Sequence, residues 1–235
     1  SVWSTVTNSA CPGCPLPLPA CRTLDARLDR VFFPSDGTAA TWGGGGTPFK
    51  IHDTLIKPRA SCATTISSIL AAEKAAAQVP RVDQIEKVTV EVYERAKVGM
   101  GTGEHHWNPD SRETADHSIP YVVAASLIDK RLTPASFADA RLWSPELREL
   151  LPKIEVVANE AYTATYERIP VRHDTRVTVT LRDGGRCVGE AGGDKGDLSQ
   201  AKTDAEIEDK FRSLTESVLG AKRVLGHEVE RELRR

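Results

Sequence analysis

A dense group of polar side chains lies between Trp107 and Tyr121, immediately before an apolar stretch. It includes the guanidinium of Arg112, the carboxylate of Asp116 and the imidazole of His117. A guanidinium binds a carboxylate bidentately, and an imidazole titrates near neutral pH, so the group is suited to holding an organic anion and moving a proton. A nearby carboxylate, that of Asp116 or of Glu113, could fix the tautomer of His117. The same residues could instead form a structural network of ion pairs and helix caps, and residue types alone favour neither interpretation.

A helix over residues 119–129 is predicted to position this group. Pro120 fits only the opening turn of a helix, and Ser118 is a favoured N-cap residue. His117 then lies at the helix N-terminus, where unpaired N–H groups and the helix dipole favour an anion. Because Arg112 adds a bidentate donor nearby, the sequence predicts an anionic ligand here.

Composition restricts the class of protein. The chain has 235 residues, of which 40% are hydrophobic and 27% charged, and its formal net charge is -2. This balance predicts a soluble globular protein with a substantial core and does not favour nucleic acid as a partner. No apolar run approaches the roughly 20 residues that cross a bilayer, and the first residues lack a signal-peptide pattern, so no membrane contact and a cytoplasmic location are expected.

Five cysteines are present, at positions 11, 14, 21, 62 and 187. An odd, scattered set argues against a disulfide framework. Cys11 and Cys14 have the spacing of redox and zinc motifs, but neither a matching pair of ligands nor a preceding strand is evident. We therefore expect free thiols, no metal and no cofactor.

The chain divides by composition into three segments. Residues 1–48 are rich in proline and glycine, with a flexible run at Gly43–Gly46, and predict an irregular lead segment. Residues 49–198 mix helical and strand patterns and predict an α+β domain. Residues 199–235 predict a helical segment that begins with a capping box and is interrupted at Gly220.

The α+β segment is predicted to form a two-layer sandwich with an antiparallel sheet. The predicted helices occupy residues 62–79 and 119–129, with short ones starting at Thr133-Pro134 and Ser144-Pro145. The predicted strands include residues 88–92, 154–156 and 177–181 and one near Cys187, with a turn at Asp183-Gly184-Gly185. The glycine-rich stretch 95–104 is predicted to be a loop.

Three stretches, taken in order, resemble segments of the MmgE/PrpD family, which includes 2-methylcitrate dehydratase, cis-aconitate decarboxylase and iminodisuccinate epimerase. The longest is W-N-P-x-x-R-E-T-A-D-H-S-x-P-Y at residues 107–121. Lys57-Pro58 to Ser61-Cys62 resembles the family element K-P-x-x-S-C, and residues 204–212 resemble D-A-E-[IL]-E-x-K-F-R. The resemblance extends from about Thr47 to the C-terminus.

The resemblance implies a particular architecture. Family members combine a large all-helical domain with a smaller α+β domain, and this sequence matches the latter part. The C-terminal helices would then belong to a helical domain that is largely missing from the chain. A face left without that domain would favour association, so we expect a homodimer.

The resemblance also implies a small di- or tricarboxylate substrate, which fixed cations would bind. Lys57 corresponds to the lysine of the family's K-P element, which lies at the active site in the decarboxylase branch. We predict Lys57 and His117 as catalytic residues and Arg59, Ser61 and Arg112 as substrate-binding residues. The alternatives are a solvated lysine at position 57 and a histidine at 117 that serves mainly to anchor the helix.

One position departs from the family pattern. Many relatives have a histidine where this chain has Ile66, which cannot transfer a proton. The departure disfavours decarboxylase chemistry and puts activity in doubt unless His105, His106 or His117 supplies the proton.

Three functions therefore stay open at the level of sequence. The first is dehydration of a 2-methylcitrate-like acid, which the family precedent implies without a metal or cluster. The second is decarboxylation of cis-aconitate or epimerisation of iminodisuccinate in the same fold. The third is a truncated, non-catalytic family member, because the missing helical domain contributes catalytic groups in the family.

Overall fold

The computed structural model describes residues 56–169, 171–192 and 202–219. The predictions for the lead segment 1–48, for Cys11, Cys14 and Cys21, and for the helix beyond Gly220 lie outside the described residues. So do the predicted segment boundaries near residues 48 and 198.

A four-stranded sheet forms one layer of the described fold. Its strands are β1 (Ile85–Val92), β2 (Ile154–Ala158), β3 (Thr175–Leu181) and β4 (Arg186–Ala191), in the order β2-β1-β3-β4. Burial alternates along β3, with Val177 and Val179 fully buried and their neighbours partly exposed. This alternation is that of a sheet with one face on the core and one towards solvent, as the sequence predicts.

Helices form the second layer. They are α1 (Ile66–Ala76), α2 (Glu94–Met100), α3 (Glu104–Trp107), α4 (Arg112–Asp116), α5 (Ile119–Asp129), α6 (Asp139–Leu142), α7 (Pro145–Leu150), α8 (Glu160–Tyr166) and α9 (Asp204–Leu219). Short 3-10 helices occupy Ala63–Thr65, Val82–Gln84, Pro134–Phe137 and Leu151–Lys153. Helix α1 packs on β3 and β4, and α5 packs on α1. The predicted α+β class is therefore confirmed.

The predicted antiparallel sheet needs one correction. Strand β1 pairs antiparallel with β3, and β3 with β4, but β1 and β2 are parallel, with Val88 opposite Ile154. The chain between β1 and β2 passes through helices α2 to α7 and re-enters the sheet in the original direction. Alternating valines show that a segment is a strand but carry no information about its direction, so the parallel pair was not predictable from them.

Five short helices of the described fold were not predicted: α2, α3, α4, α6 and α8. The stretch 95–104, predicted as a loop, contains most of α2 and the first residue of α3. Gly99 is accommodated within α2, and only Gly103 takes a positive φ, of 85°, at the N-cap of α3. Helix α8 was missed although Asn159 caps it by accepting hydrogen bonds from the main-chain N–H groups of Ala161 and Tyr162. Glycine in a helix and a short capped helix both give weak sequence signals.

Candidate functional site

The segment that begins at Lys57 contacts the C-terminal end of α4. Ser61 Oγ donates to the carbonyl oxygen of Asp116 at 2.7 Å, and the N–H of Cys62 donates to the same oxygen at 3.3 Å. Ser61 is buried, and its hydroxyl also lies 2.7 Å from that of Thr65. These bonds bring together two of the three family-like segments, which lie more than fifty residues apart in the sequence. Because its hydroxyl is already engaged, Ser61 positions the segment.

Lys57 lies at the surface beside this junction. Its ammonium donates to the carbonyl oxygen of Ser61 at 2.7 Å, which holds the side chain against its own segment. The carbonyl oxygen of Lys57 in turn accepts a hydrogen bond from Nζ of Lys210, also at 2.7 Å. Since Lys210 belongs to α9, the third family-like segment joins the other two at Lys57.

His117 follows α4 directly and is largely exposed. Its Nδ1 contacts a carboxylate oxygen of Asp116 and lies 3.0 Å from the carbonyl oxygen of Glu113. A carboxylate and a carbonyl can only accept, so Nδ1 carries the proton in the neutral ring. Nε2 then presents a lone pair, and within the described part of the chain no group bonds to it. A histidine held in this way has the arrangement of a general base.

Arg112 is the first residue of α4 and is exposed. Its backbone is held by the preceding Ser111, whose side chain forms a capping box with Thr114. A rise of about 1.5 Å per residue places its Cα roughly 6 Å along the helix from that of Asp116. Among the described residues, no acidic group pairs with the Arg112 guanidinium, so it can bind a carboxylate.

Arg59 differs from Arg112 because its guanidinium is held within the chain. Nε and Nη2 donate to the two carboxylate oxygens of Glu73 at 2.8 and 2.6 Å, and Nη1 donates to the carbonyl oxygen of Pro58. Both charged groups are largely buried. The same carboxylate accepts from the N–H of Leu132, so the pair joins three parts of the fold. Arg59 is thus placed as a structural residue, and a role in binding substrate stays only a prediction.

Ile66 opens α1 and is buried in the hydrophobic core. The side chain at the position of the family histidine therefore packs and does not reach solvent. Of the three histidines weighed as substitutes, His106 is also buried, and burial lowers the pKa of its imidazole. Its Nδ1 contacts the carbonyl oxygen of Thr102, and its ring lies 3.9 Å from that of His105. Of the histidines weighed for proton transfer, His117 is the one held by a carboxylate and exposed.

The N-terminus of α5 does not provide the predicted anion site. Ser118 and Ile119 are fully buried, and the Ser118 hydroxyl caps the helix by accepting from the N–H of Tyr121. The N–H of Val122 is bonded to the Ser118 carbonyl, and Pro120 has no N–H. The N-cap prediction is confirmed, but the same cap uses the donors that an anion would need. Side chains therefore have to bind any anion here.

Lys210 has no local sequence signal beyond its place in a family-like helix. Its contact with Lys57 spans residues 153 positions apart, which no local pattern indicates. Within the described ranges, no three His, Cys, Asp or Glu residues are grouped so that they could hold a metal ion. No helix among these residues is long and apolar enough to span a bilayer.

The fold and the site define a class of protein. It is an α+β two-layer domain in which these three segments meet. The MmgE/PrpD C-terminal domain matches residues 60–233, and the chain belongs to the MmgE/PrpD family. This finding confirms the relationship that the three segments indicate.

Two distant curated relatives of this chain are both cis-aconitate decarboxylases. The chain is 27% identical over 111 residues to cis-aconitate decarboxylase of Mus musculus and 28% identical over 111 residues to that of Homo sapiens. Each match covers 47% of this chain and 22% of the relative. The chain thus spans less than a quarter of the length of these proteins.

Proposed function

We propose that this chain carries part of the site of a lyase that acts on a small di- or tricarboxylate, with dehydration of a 2-methylcitrate-like acid as the principal candidate. The observation that carries the proposal is the junction at Ser61, where the Lys57 segment is bonded to the end of α4. It joins the segment of the exposed Lys57 to the segment that carries Arg112 and the carboxylate-held imidazole of His117, in a domain of the MmgE/PrpD family. Among the described residues, no acidic group pairs with the guanidinium of Arg112.

In the proposed reaction, Lys57 and Arg112 bind carboxylates of the substrate. His117 removes a proton from the carbon next to a carboxylate, through Nε2. The electron pair of that C–H bond forms a carbon–carbon double bond, and the hydroxyl on the neighbouring carbon leaves. The proton held on His117 passes to the leaving hydroxyl, so the products are an unsaturated acid and water. Asp116 stabilises the imidazolium formed in between.

Decarboxylation is the second candidate, because the named relatives are cis-aconitate decarboxylases. In that reaction the substrate loses CO2 and the protonated His117 delivers a proton to carbon. The buried Ile66 weighs against it, since the position of the family histidine offers no proton donor.

The proposal is tested by titrating the chain with 2-methylcitrate, citrate and cis-aconitate and by following turnover through the absorbance of the unsaturated product. Lys57→Gln and Arg112→Gln should each weaken binding by about tenfold or more, because hydrogen bonds to charged groups contribute about 1.5–3 kcal/mol. His117→Gln should leave binding intact and lower turnover by about 10²–10⁴-fold, the usual contribution of general acid–base catalysis.

Lys153→Gln is the matched control. Its Nζ also donates to a main-chain carbonyl, that of Ile85 at 2.8 Å, outside the three family-like segments. Its affinity should equal that of the unsubstituted chain. Saturable binding without turnover would favour a non-catalytic family member, and the absence of binding to all three acids would contradict the proposal.

A further inference from the structure

Lys210 brings a second ammonium to the Lys57 segment. Helix α9 starts at a capping box, in which the N–H and hydroxyl of Thr203 donate to the carboxylate of Glu206 at 2.8 and 3.0 Å. About two turns further along, Lys210 Nζ donates to the carbonyl oxygen of Lys57 at 2.7 Å. An ammonium has three N–H donors, so this bond leaves two for another partner.

Neither lysine has an anionic partner among the described residues. In the described parts of the chain, no carboxylate lies within ion-pairing distance of either Lys57 or Lys210. Asp209, which neighbours Lys210 in the sequence, is paired instead with Arg131 at 3.3 Å. Partial burial and the charge of Lys57 both lower the pKa of Lys210. Like charges held together in this way are relieved by a ligand that carries more than one negative charge.

We propose that Lys57 and Lys210 form a two-cation subsite for a polycarboxylate, in which Lys210 binds a carboxylate group that Lys57 does not. The inference deepens the proposed function and rests on it. Because Lys210 is on α9 and Lys57 precedes α1, a bound di- or tricarboxylate joins the two elements through its own charges. A monocarboxylate cannot do so, and the subsite therefore selects substrates by their number of carboxylates.

The test measures citrate binding by calorimetry to the full chain and to three variants, Lys57→Gln, Lys210→Gln and Lys210→Arg. Lys210→Gln should weaken citrate binding by about tenfold or more, and Lys210→Arg, which keeps the charge, should restore most of it. Lys153→Gln should bind as the unsubstituted chain does. A loss in Lys57→Gln with unchanged affinity in Lys210→Gln would overturn the inference and leave the proposed function standing. Absence of citrate binding to the unsubstituted chain would overturn both.

A second measurement needs no substitution and holds even if a variant does not fold. Lysines of the unsubstituted chain are acetylated with and without citrate, and the rate at each lysine is read by peptide mass spectrometry. Citrate should slow acetylation of both Lys57 and Lys210 and leave Lys153 unchanged. Protection of Lys57 alone would contradict the two-cation subsite.

Discussion

At the scale of single residues, the partner of a charged group decides what that group can do. Arg59 and Arg112 both lie within family-like segments. The guanidinium of Arg59 is paired with Glu73, whereas no described carboxylate pairs with that of Arg112. Removing one partner of a buried ion pair lowers the stability of a protein by several kcal/mol, so we regard the pair of Arg59 and Glu73 as part of the scaffold. An exposed, unpaired guanidinium has no such structural role and is the better ligand for a carboxylate.

Tyr121 offers a residue-level test of the core. Its side chain is fully buried, its hydroxyl donates to the carbonyl oxygen of Ser136 at 2.7 Å, and burial raises its pKa to about 12. The ordinary pKa is about 10, so folding favours the protonated form. The pKa difference contributes about 3 kcal/mol to the free energy of unfolding. This contribution is complete below about pH 10 and is lost as the pH rises to about 12.

The measurement is the free energy of unfolding in urea across this range, for the chain and for Tyr121→Phe. The phenylalanine variant cannot ionise at this position, so its stability should fall less steeply with pH. Equal slopes in the two proteins would contradict the burial of this hydroxyl.

At the scale of elements, the side chain of Gln78, just after the end of α1, protects the outer edge of β4. The Gln78 amide donates to the carbonyl oxygen of Val188 at 2.6 Å, and the Val188 N–H donates back to it at 3.3 Å. The side chain thus pairs with the strand as another strand would, which blocks the edge against aggregation. The close approach of helix and strand requires glycine at position 189, where a Cβ would lie 2.0 Å from the carbonyl oxygen of Ala71.

Gly189→Ala should therefore lower the free energy of unfolding by about 3 kcal/mol, since α1 would have to move away from β4. Gly99→Ala in α2 is the matched control, because a Cβ there meets nothing within 4 Å. It should leave stability unchanged or raise it by about 0.5–1 kcal/mol, as alanine favours helix. Urea denaturation of the two variants measures both effects. Comparable stabilities would show that the helix is not held this close to the strand.

Local patterns account well for the elements that have specific end signals. Ser118 and Pro120 predicted the start of α5 at Ile119, and the Thr203–Glu206 capping box predicted that of α9 at Asp204. Cap and proline signals work because they depend on the backbone of a few neighbouring residues. Helix α2 escaped prediction because its glycine suggested a loop, whereas packing of Ala96 in the core stabilises it.

At the scale of the whole molecule, the three family-like segments meet although they are widely spaced along the chain. The Ser61 bond to Asp116 and the Lys210 bond to Lys57 are two of the contacts that join them. Each joins backbone of one segment to a side chain of another. A site built in this way depends on correct packing of α1, α4 and α9, and not on any one element.

The expected homodimer stays a prediction at this scale. The described surface carries exposed apolar side chains on α9, Phe211 and Leu214, each about two-fifths exposed. Light scattering coupled to size-exclusion chromatography should give about twice the chain mass of 25.6 kDa. A mass of one chain that does not change with protein concentration would contradict the dimer.

The sequence by itself determined the family, the α+β class and the approximate positions of the four strands and of helices α1, α5, α7 and α9, because these follow from motifs, periodicity and caps that act over a few residues. It also identified Lys57, Arg112 and His117 as residues to consider. Only the tertiary structure decided which side chains remain available to a ligand. Arg59 is paired with Glu73, Ile66 is buried in the core, and Lys210 of a distant helix contacts Lys57. It also decided that β2 runs parallel to β1. These outcomes depend on contacts between residues far apart in the chain, and no local pattern contains them.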